Sequence, residues 1–337
     1  MTLHRSTLAS ALAMAFALGA AGSAHADIYA GSSLAIERLT VAFLDANNND
    51  ASASVTIKNF NFSLTNTALI NGVGGMNGLF GGNCSGTEAA NSCGVSPTLN
   101  ALAANAQGSA FNRADNDFTM FGIGGGNWSN SDSVIRQSEL TDGVPTKTDQ
   151  IAEANITSVQ SAQSSALINS TTGLTFTASV GPGVTKFFIE FWADPDMMAK
   201  ITNDLGAAQS TMATSVDFSK DGAFTGAKWT MDGVASGASC QTNLTCTELF
   251  DGANLNQTIG VTTNNTEATN APFYNPNAAT WERFSILVDG VTAGEWTLLL
   301  SATTSTNLSR QIPEPGALAL TGLALAGLGL ASRRRKV

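Results

Sequence analysis

The side chains that most often carry acid–base and nucleophilic catalysis are scarce in this chain. Its 337 residues include two histidines, His4 and His25, and both precede residue 27. The remainder therefore has no Ser-His-Asp or Cys-His arrangement and no histidine ligand for zinc or haem. Two carboxylates suffice for glycoside hydrolysis. Among enzyme classes, a carboxylate-based glycosidase or lyase is thus the one whose catalytic groups this chain can most readily supply.

One acidic turn offers oxygen ligands at alternate positions. Asp45, Asn47 and Asn49 occupy positions 1, 3 and 5 of a loop, the spacing that calcium loops use. Position 6 is Asp50 instead of glycine and position 12 is Thr56 instead of glutamate, so the EF-hand pattern is broken at two defining places. Asn and Asp are also common in turns. We expect a polar turn, with calcium as the alternative and no other cofactor.

Asp194 and Asp196 flank Pro195 directly after a strongly apolar segment. They could present two carboxylates to a metal ion or a sugar. Because Asp-Pro favours turn initiation, we expect a turn that ends the preceding strand.

Tryptophan side chains can stack against sugar rings. Trp192 and Trp296 lie in alternating segments and are expected in the core. Trp128 follows Gly124-Gly125-Gly126-Asn127 and is expected in a polar loop. Trp128 is therefore the candidate for ligand contact.

The four cysteines form two close pairs, Cys84 with Cys93 and Cys240 with Cys246. An even number of cysteines in an exported chain favours disulfides, and pairing by proximity closes two short loops. Three pairings are possible. A four-cysteine zinc site is the alternative, although these spacings are longer than those of zinc knuckles.

The N-terminus has the pattern of a secretory signal peptide. A basic start at Arg5 precedes a short apolar run, and Ala24 and Ala26 are small residues at the first and third positions before a cut. We predict removal of residues 1–26 by signal peptidase, with Asp27 as the new N-terminus. A retained membrane anchor is the alternative.

The C-terminus has three parts. Pro313-Glu314-Pro315 is an extended tripeptide. Residues 316–332 form an uncharged run of 17 residues, followed by Arg333, Arg334, Arg335 and Lys336. A helix of that length rises about 26 Å, which is close to the bilayer hydrocarbon thickness. We predict a marginal transmembrane helix over 316–332 with its C-terminus in the cytoplasm.

This order of Pro-Glu-Pro, hydrophobic helix and arginine cluster resembles the PEP-CTERM sorting signal, over residues 312–337. The resemblance implies recognition by exosortase, an inner-membrane cysteine transpeptidase-like enzyme. The matching positions are Pro313, Glu314, Pro315, Arg333, Arg334 and Arg335. It implies an intermediate in the inner membrane, processing near the motif, and passage to the cell surface or the extracellular matrix. A plain C-terminal membrane anchor is the alternative.

The segment between these ends is acidic. Residues 27–310 contain 11 Lys and Arg against 25 Asp and Glu, a net charge of −14. That charge argues against nucleic acid as a partner.

Alternation of apolar and polar residues predicts an all-β fold. It runs through residues 39–43, 55–57, 60–64, 174–180, 284–288 and 296–300. A phase slip at Asn59-Phe60 predicts a bulge. Residues 185–193 carry aromatics on both faces, which predicts a central strand, and residues 149–167 are assigned to strand. We predict one two-sheet sandwich, jelly-roll-like, for the body 27–310.

Several connections can also be predicted. Residues 284–288 and 296–300 flank turn residues at 289–294 and are expected to pair as a hairpin, with 301–312 as a short tether to the tail. Residues 71–82 and 122–126 are glycine-rich and are expected to be loops. Residues 232–280 are expected to be irregular loops.

The sequence therefore predicts a non-catalytic surface or matrix protein sorted by exosortase. A module that binds exopolysaccharide is the second hypothesis, and a carboxylate-based glycosidase or lyase is the third.

Overall fold

The computed structural model describes residues 27–73, 76–87, 90–91, 98–106, 111–136, 147–157, 163–220, 226–241, 243–311 and 322. Within these residues the fold is almost entirely β. The strands are β1 Asp27–Leu44, β2 Val55–Val73, β3 Met76–Thr87, β4 Ala90–Asn91, β5 Thr98–Ala106, β6 Trp128–Arg136, β7 Lys147–Ile156, β8 Gln163–Val180, β9 Lys186–Thr202, β10 Gly206–Lys220, β11 Gly226–Trp229, β12 Ala238–Cys240, β13 Thr245–Asp251, β14 Gln257–Val261, β15 Thr266–Thr269, β16 Glu282–Asp289 and β17 Gly294–Gln311. A single 3-10 turn, Ser52–Ser54, precedes β2.

The strands form two antiparallel sheets that pack as a sandwich. The eight-stranded sheet has the order β13-β16-β9-β1-β7-β6-β5, and the nine-stranded sheet has the order β12-β11-β10-β17-β8-β2-β3-β4. Each sheet also includes one short strand outside this order: β15 pairs with β9 in the eight-stranded sheet, and β14 pairs with β10 in the nine-stranded sheet. The predicted all-β sandwich is confirmed.

Two hydrophobic clusters fill the space between the sheets. The larger one is aromatic: Phe187 of β9 stacks on Phe218 of β10 with ring centroids 4.0 Å apart, and Phe218 stacks on Trp296 of β17. The smaller cluster consists of alanine, isoleucine and leucine and includes Ile28, Ile201 and Leu308. The pairing of Ile28 with Ile201 places this cluster at the end of the sandwich where β1 begins and β9 ends.

Between these clusters the two sheets are joined by polar side chains. Serine hydroxyls donate to backbone carbonyls of the opposite sheet: Ser210 to Gly31 at 2.8 Å, Ser131 to Thr67 at 3.1 Å and Ser170 to Asp132 at 2.8 Å. A serine reaches only one atom beyond Cβ, so the sheets lie closer here than the roughly 10 Å of an ordinary sandwich. The abundance of serine and alanine in this chain is thus partly a packing requirement.

Several local predictions are confirmed. The pairing of β2 with β8 shifts register between Lys58 and Asn61, where the alternation changes phase. β9 is central, with β1 on one side and β16 and β15 on the other. Residues 149–156 and 163–167 lie in β7 and β8. The loop with Gly122, Gly124, Gly125 and Gly126 has positive φ at all four positions, which glycine adopts without steric cost.

The predicted hairpin at 284–300 is wrong. β16 pairs with β9 and β13 in the eight-stranded sheet, whereas β17 pairs with β10 and β8 in the other. The turn between them therefore crosses from one sheet to the other. Alternation reports that a strand has one buried face, and it does not report which strand lies beside it.

Three loop predictions are also corrected. Residues 71–73 and 76–82 belong to β2 and β3, which pair with each other, because the backbone hydrogen bonds of a ladder need no side chain. Residues 301–311, expected to be a tether, continue β17 in full pairing with β8. The region 232–280 contains the short strands β12 to β15.

In the described part of the chain, no helix is long and apolar enough to cross a bilayer. The predicted signal peptide, 1–26, lies outside the described residues. So does the predicted transmembrane helix, 316–332, apart from Gly322.

Candidate functional site

β17, the last strand along the chain, leads directly into the predicted sorting motif. β17 ends at Gln311, two residues before Pro313. Next to that end, Arg310 Nε lies 2.6 Å from Asp204 Oδ2, and the two side chains are only 10% and 6% exposed. The motif residues Pro313, Glu314, Pro315, Arg333, Arg334 and Arg335 lie outside the described residues.

A charged network is buried on the outer face of the eight-stranded sheet. Arg113 Nη2 lies 2.6 Å from Glu153 Oε2, and both side chains are fully buried. The Tyr29 hydroxyl and the Gly122 N–H donate to Glu153 Oε1 at 2.7 and 2.8 Å. Burial raises the pKa of Glu153, and Arg113 and these donors oppose that rise. Both carboxylate oxygens are thus occupied by partners within the protein.

Arg113 uses its remaining donors to hold the loop that precedes β6. Its Nε donates to Asn130 Oδ1 at 2.8 Å, and its Nη1 donates to the carbonyl oxygens of Thr119, at 2.9 Å, and Asp117. The guanidinium also lies over the ring of Phe121, 4.3 Å from its centroid. The ion pair therefore fastens this loop to the sheet.

Burial also raises the pKa of five other carboxyl groups among the described residues, and in three of them the rise is large. The pKa rises to about 7 for Asp132, about 6 for Asp196 and about 7 for Asp251. Each carboxylate accepts a backbone N–H of a connecting segment, from Asn116 at 2.6 Å, Asn275 at 2.6 Å and Gly233 at 2.9 Å respectively. Shifted pKa values often mark functional sites, but here the same contacts anchor loops.

The expected turn at Asp194-Pro195-Asp196 is wrong, because all three residues continue β9. Pro195 pairs with Leu34 of β1. On the other side of β9, the Asn270 side chain replaces a neighbouring strand: its Nδ2 donates to the Pro195 carbonyl at 2.8 Å and its Oδ1 accepts the Met197 N–H at 2.9 Å. The Asp194 carboxylate accepts a backbone N–H of the same covering segment at 2.8 Å. These carboxylates hold a loop on the sheet.

Trp128 is not the loop residue that was expected. It begins β6 and is 0% exposed. Its ring stacks on Phe111 at 5.5 Å between centroids, and its Nε1 donates to the Gly124 carbonyl at 2.8 Å. The ring is thus covered by Phe111 and the Gly124 carbonyl accepts its N–H, and no part of the side chain is exposed for ligand contact. Trp296 is buried as predicted, whereas Trp192 lies on the outer face, half-buried beneath Arg38.

The candidate calcium loop forms a closed polar turn. Asp45 Oδ1 accepts the N–H groups of Asn47 and Asn49 at 2.8 and 2.9 Å, and the Asn49 hydrogen bonds lower the pKa of Asp45. The Lys186 ammonium donates to Asn48 Oδ1 at 2.6 Å. The turn residues thus already have partners, one of them a cation. Among the described residues, no group of three or more His, Cys, Asp or Glu side chains is placed to hold a metal ion.

One predicted disulfide is present. Cys240 of β12 is bonded to Cys246 of β13, so the bond joins an edge strand of the nine-stranded sheet to an edge strand of the eight-stranded sheet. The partner state of Cys84 and Cys93 lies outside what the structure describes.

The outer face of the nine-stranded sheet carries rows of small polar residues, which we call the threonine face. Strand pairing aligns three uncharged rows: Thr67, Asn169, Ser305, Thr211 and Thr258; Thr65, Thr171, Thr303 and Ala213; and Ser63, Gly173, Ser301 and Ser215. These side chains are partly or fully exposed. The hydroxyls of Thr171 and Thr303 lie 3.4 Å apart. Neighbours repeat at about 4.8 Å across strands and about 7 Å along them.

A comparison with protein families matches the PEP-CTERM protein-sorting motif to residues 311–336. The C-terminal segment is a PEP-CTERM sorting signal. The chain is therefore an exported, exosortase-sorted protein that passes through the membrane to the cell surface. The match begins at Gln311, the last residue of β17, so the PEP-CTERM signal and the folded body share a boundary.

No curated protein matches this chain. Among solved structures, it is similar to the infectious bursal disease virus VP2 subviral particle at 12% identity, over 89% of this chain and 87% of that one, with a TM-score of 0.10. A similarity this low carries no argument about fold or function.

Two features of the structure were not predicted from the sequence. Arg113 and Glu153 are 40 positions apart, and nothing local marks them as a pair. The alternate Ser and Thr residues of β2, β8, β10 and β17 were visible, but only the pairing register aligns them into the threonine face.

Proposed function

We propose that the PEP-CTERM signal delivers a non-catalytic structural domain to the cell surface or the extracellular matrix. The observation that carries this proposal is that the buried carboxylates bind segments of the protein itself. Glu153, Asp132 and Asp196 each accept hydrogen bonds that anchor a surface segment. An acid–base catalyst instead needs a carboxyl within hydrogen-bonding reach of a substrate proton.

The absence of activity is tested directly. The purified protein is assayed against a broad panel of polysaccharides, beside Glu153→Gln and Asp196→Asn, whose folding is checked by circular dichroism. We expect no hydrolase or lyase activity from any of them. An activity in the native protein that disappears in one folded carboxylate variant would show that the domain is an enzyme.

The sorting step has its own experiment. Replacing Pro313, Glu314 and Pro315 with alanine removes the motif without touching the described strands, which end at Gln311. We expect the full-length variant to remain in the inner membrane, whereas the native protein reaches the surface. If the variant reaches the surface as the native protein does, exosortase handling is wrong.

We propose a second candidate function, binding of exopolysaccharide, because of the threonine face. Its central rows present hydroxyl and amide groups and no charge, which suits a neutral polyhydroxylated polymer better than an ionic one. The threonine face replaces Trp128 as the proposed surface for glycan contact, because the Trp128 ring is buried.

The matched test replaces hydroxyls with methyls of the same shape. The double variant Thr171→Val and Thr303→Val changes the centre of the threonine face, and Thr247→Val makes the same change on exposed β13 of the other sheet. We expect saturable glycan binding that weakens several-fold only in the double variant. No saturable binding across a broad glycan array would rule this function out.

A further inference from the structure

Both ends of the body leave the sandwich at the same place. Asp27, the first residue of β1, pairs with Thr202, the last residue of β9. Arg310 pairs with Gly206, the first residue of β10. Only residues 203–205 separate those two partners, so the chain enters and leaves the body on either side of one short turn.

Close packing of β1 on β17 reinforces this arrangement. A Cβ on Gly206 would lie 2.1 Å from the Ser309 carbonyl oxygen and 2.5 Å from Ile28 Cδ1. Because non-bonded atoms do not approach each other this closely, a glycine is needed where the two terminal strands meet. We call this surface the terminal end; it comprises Asp27, Lys200, the turn 203–205, residues 264–265, Glu267 and Arg310.

The tail restricts how far the terminal end can lie from a membrane. Four residues lie between Gln311 and Gly316, where the predicted membrane helix begins. The five Cα–Cα steps from Gln311 to Gly316 span at most about 17 Å when the chain is fully extended. The headgroup layer alone is about 5–8 Å deep. While residues 316–332 span the bilayer, the terminal end is therefore held beside the headgroups.

The charges at the terminal end suit that position. Arg310 is paired with Asp204, and Lys200 is paired with Glu267 at 2.8 Å, while Asp27 is 9% exposed. Two basic and three acidic residues make this end nearly neutral in a body of net charge −14. Repulsion from anionic headgroups is thereby reduced where the chain meets the membrane.

The turn at the terminal end displays one exposed leucine and is held in place. Leu205 is 52% exposed. The N–H groups of Asn203 and Asp204 donate to the side-chain oxygens of Asn265 and Asn264, both at 2.9 Å. A leucine displayed on a fixed turn is suited to enter the headgroup layer.

We propose that the terminal end is the bilayer-facing surface of the sorting intermediate, with Leu205 as its lipid contact. It rests on the headgroups and presents the Pro-Glu-Pro motif at the membrane surface, while the Asp45 turn and the 289–294 turn lie at the opposite end. The inference rests on the membrane insertion of the PEP-CTERM tail and is independent of the final role of the body in the matrix.

The test uses the chain with its tail intact, reconstituted in phosphatidylethanolamine–phosphatidylglycerol vesicles. Leu205→Cys carries an environment-sensitive fluorophore, and the matched control is Ala293→Cys, exposed in the turn at the opposite end. Labelled protein without an added cysteine supplies the background. We expect headgroup spin-labelled lipids to quench the probe at 205 several-fold more than the probe at 293.

Equal quenching at the two positions in protein that floats with the vesicles would overturn the proposal, because the tail would then be inserted with the body lying in another orientation. Protein that does not float would also overturn it, because no membrane segment would hold the terminal end at a bilayer. Neither result bears on whether the released body is structural, which the activity assays decide.

Discussion

Glu153 and Arg113 form an ion pair inside this protein. Their side chains are 2.6 Å apart and fully buried, and Tyr29 and Gly122 satisfy the other carboxylate oxygen. Breaking one member of a buried pair leaves a charge without compensation, and typically costs about 3–5 kcal/mol.

Arg113→Met is expected to lower the free energy of unfolding by about 3 kcal/mol, measured by urea denaturation. Lys228→Met removes the same charge from an exposed position of β11, and should change stability by less than about 0.5 kcal/mol. Adding Glu153→Gln to Arg113→Met should recover part of the loss. Equal effects of the two single variants would contradict a structural role for the pair.

Gly31 leaves room for the same network. A Cβ on Gly31 would lie 2.3 Å from Met120 Cε and 2.5 Å from the Tyr29 hydroxyl oxygen. We expect Gly31→Ala to destabilise the protein by about 1–3 kcal/mol through overpacking. Gly173→Ala is the control, since its Cβ would meet its nearest atoms at 3.7 and 4.0 Å. Similar thermal midpoints for the two variants would contradict this.

At the scale of elements, the Cys240–Cys246 bond connects two edge strands that do not pair with each other; the Glu248 carboxylate of β13 also accepts hydrogen bonds from Trp229 and Gly237 across this gap. β12 pairs with β11 in one sheet and β13 pairs with β16 in the other. Both strands are short, and one strand separates each of them from the aromatic stack of β9 and β10: β11 lies between β12 and β10, and β16 lies between β13 and β9. The disulfide therefore closes one side of the sandwich.

Replacing both cysteines with serine is expected to cost about 2 kcal/mol, the chain-entropy value for a loop this short. Amide exchange should become faster in β12 and β13, while β9 and β17 stay protected, because the central strands keep their neighbours. The reduced native protein should behave in the same way. Unchanged exchange in β12 and β13 would show that strand pairing, packing and the Glu248 hydrogen bonds hold these edges without the disulfide.

For the whole molecule, the buried acids make stability depend on pH. The pKa values of Asp132, Asp196 and Asp251 are raised to about 7, 6 and 7, so the folded state keeps protons that the unfolded chain releases near pH 4. The free energy of unfolding must then fall as pH rises from the pKa values of these groups in the unfolded chain towards their pKa values in the folded protein.

We expect the free energy of unfolding to be lower at pH 8 than at pH 5, by on the order of 1–3 kcal/mol. Urea denaturation at several pH values measures this. Asp132→Asn should flatten the dependence even if it lowers stability overall. Constant or rising stability between pH 5 and 8 would contradict the raised pKa values. The pKa values of Asp45 and Asp50 are lowered, so these two groups affect the pH dependence of stability only at more acidic pH.

How far prediction from sequence succeeds depends on how local each feature is. The bulge near Asn59 and the central strand β9 follow from neighbouring residues, so alternation was enough to predict them. The position of Trp128 depends on Phe111 and on the Gly124 carbonyl. The pairing of β17 depends on β8, which lies more than a hundred residues earlier in the chain. These contacts leave no local signal.

By itself, the sequence determined the fold class, the acidic and histidine-free body, and the PEP-CTERM signal, because composition, alternation and a contiguous motif are all properties of short segments. Only the tertiary structure decided that the carboxylates anchor loops, that threonines from five strands share one face, and that Asp27 and Gln311 leave the same end of the sandwich. Each of these results comes from the register between strands distant in sequence, which is set by burial and backbone pairing over the whole domain.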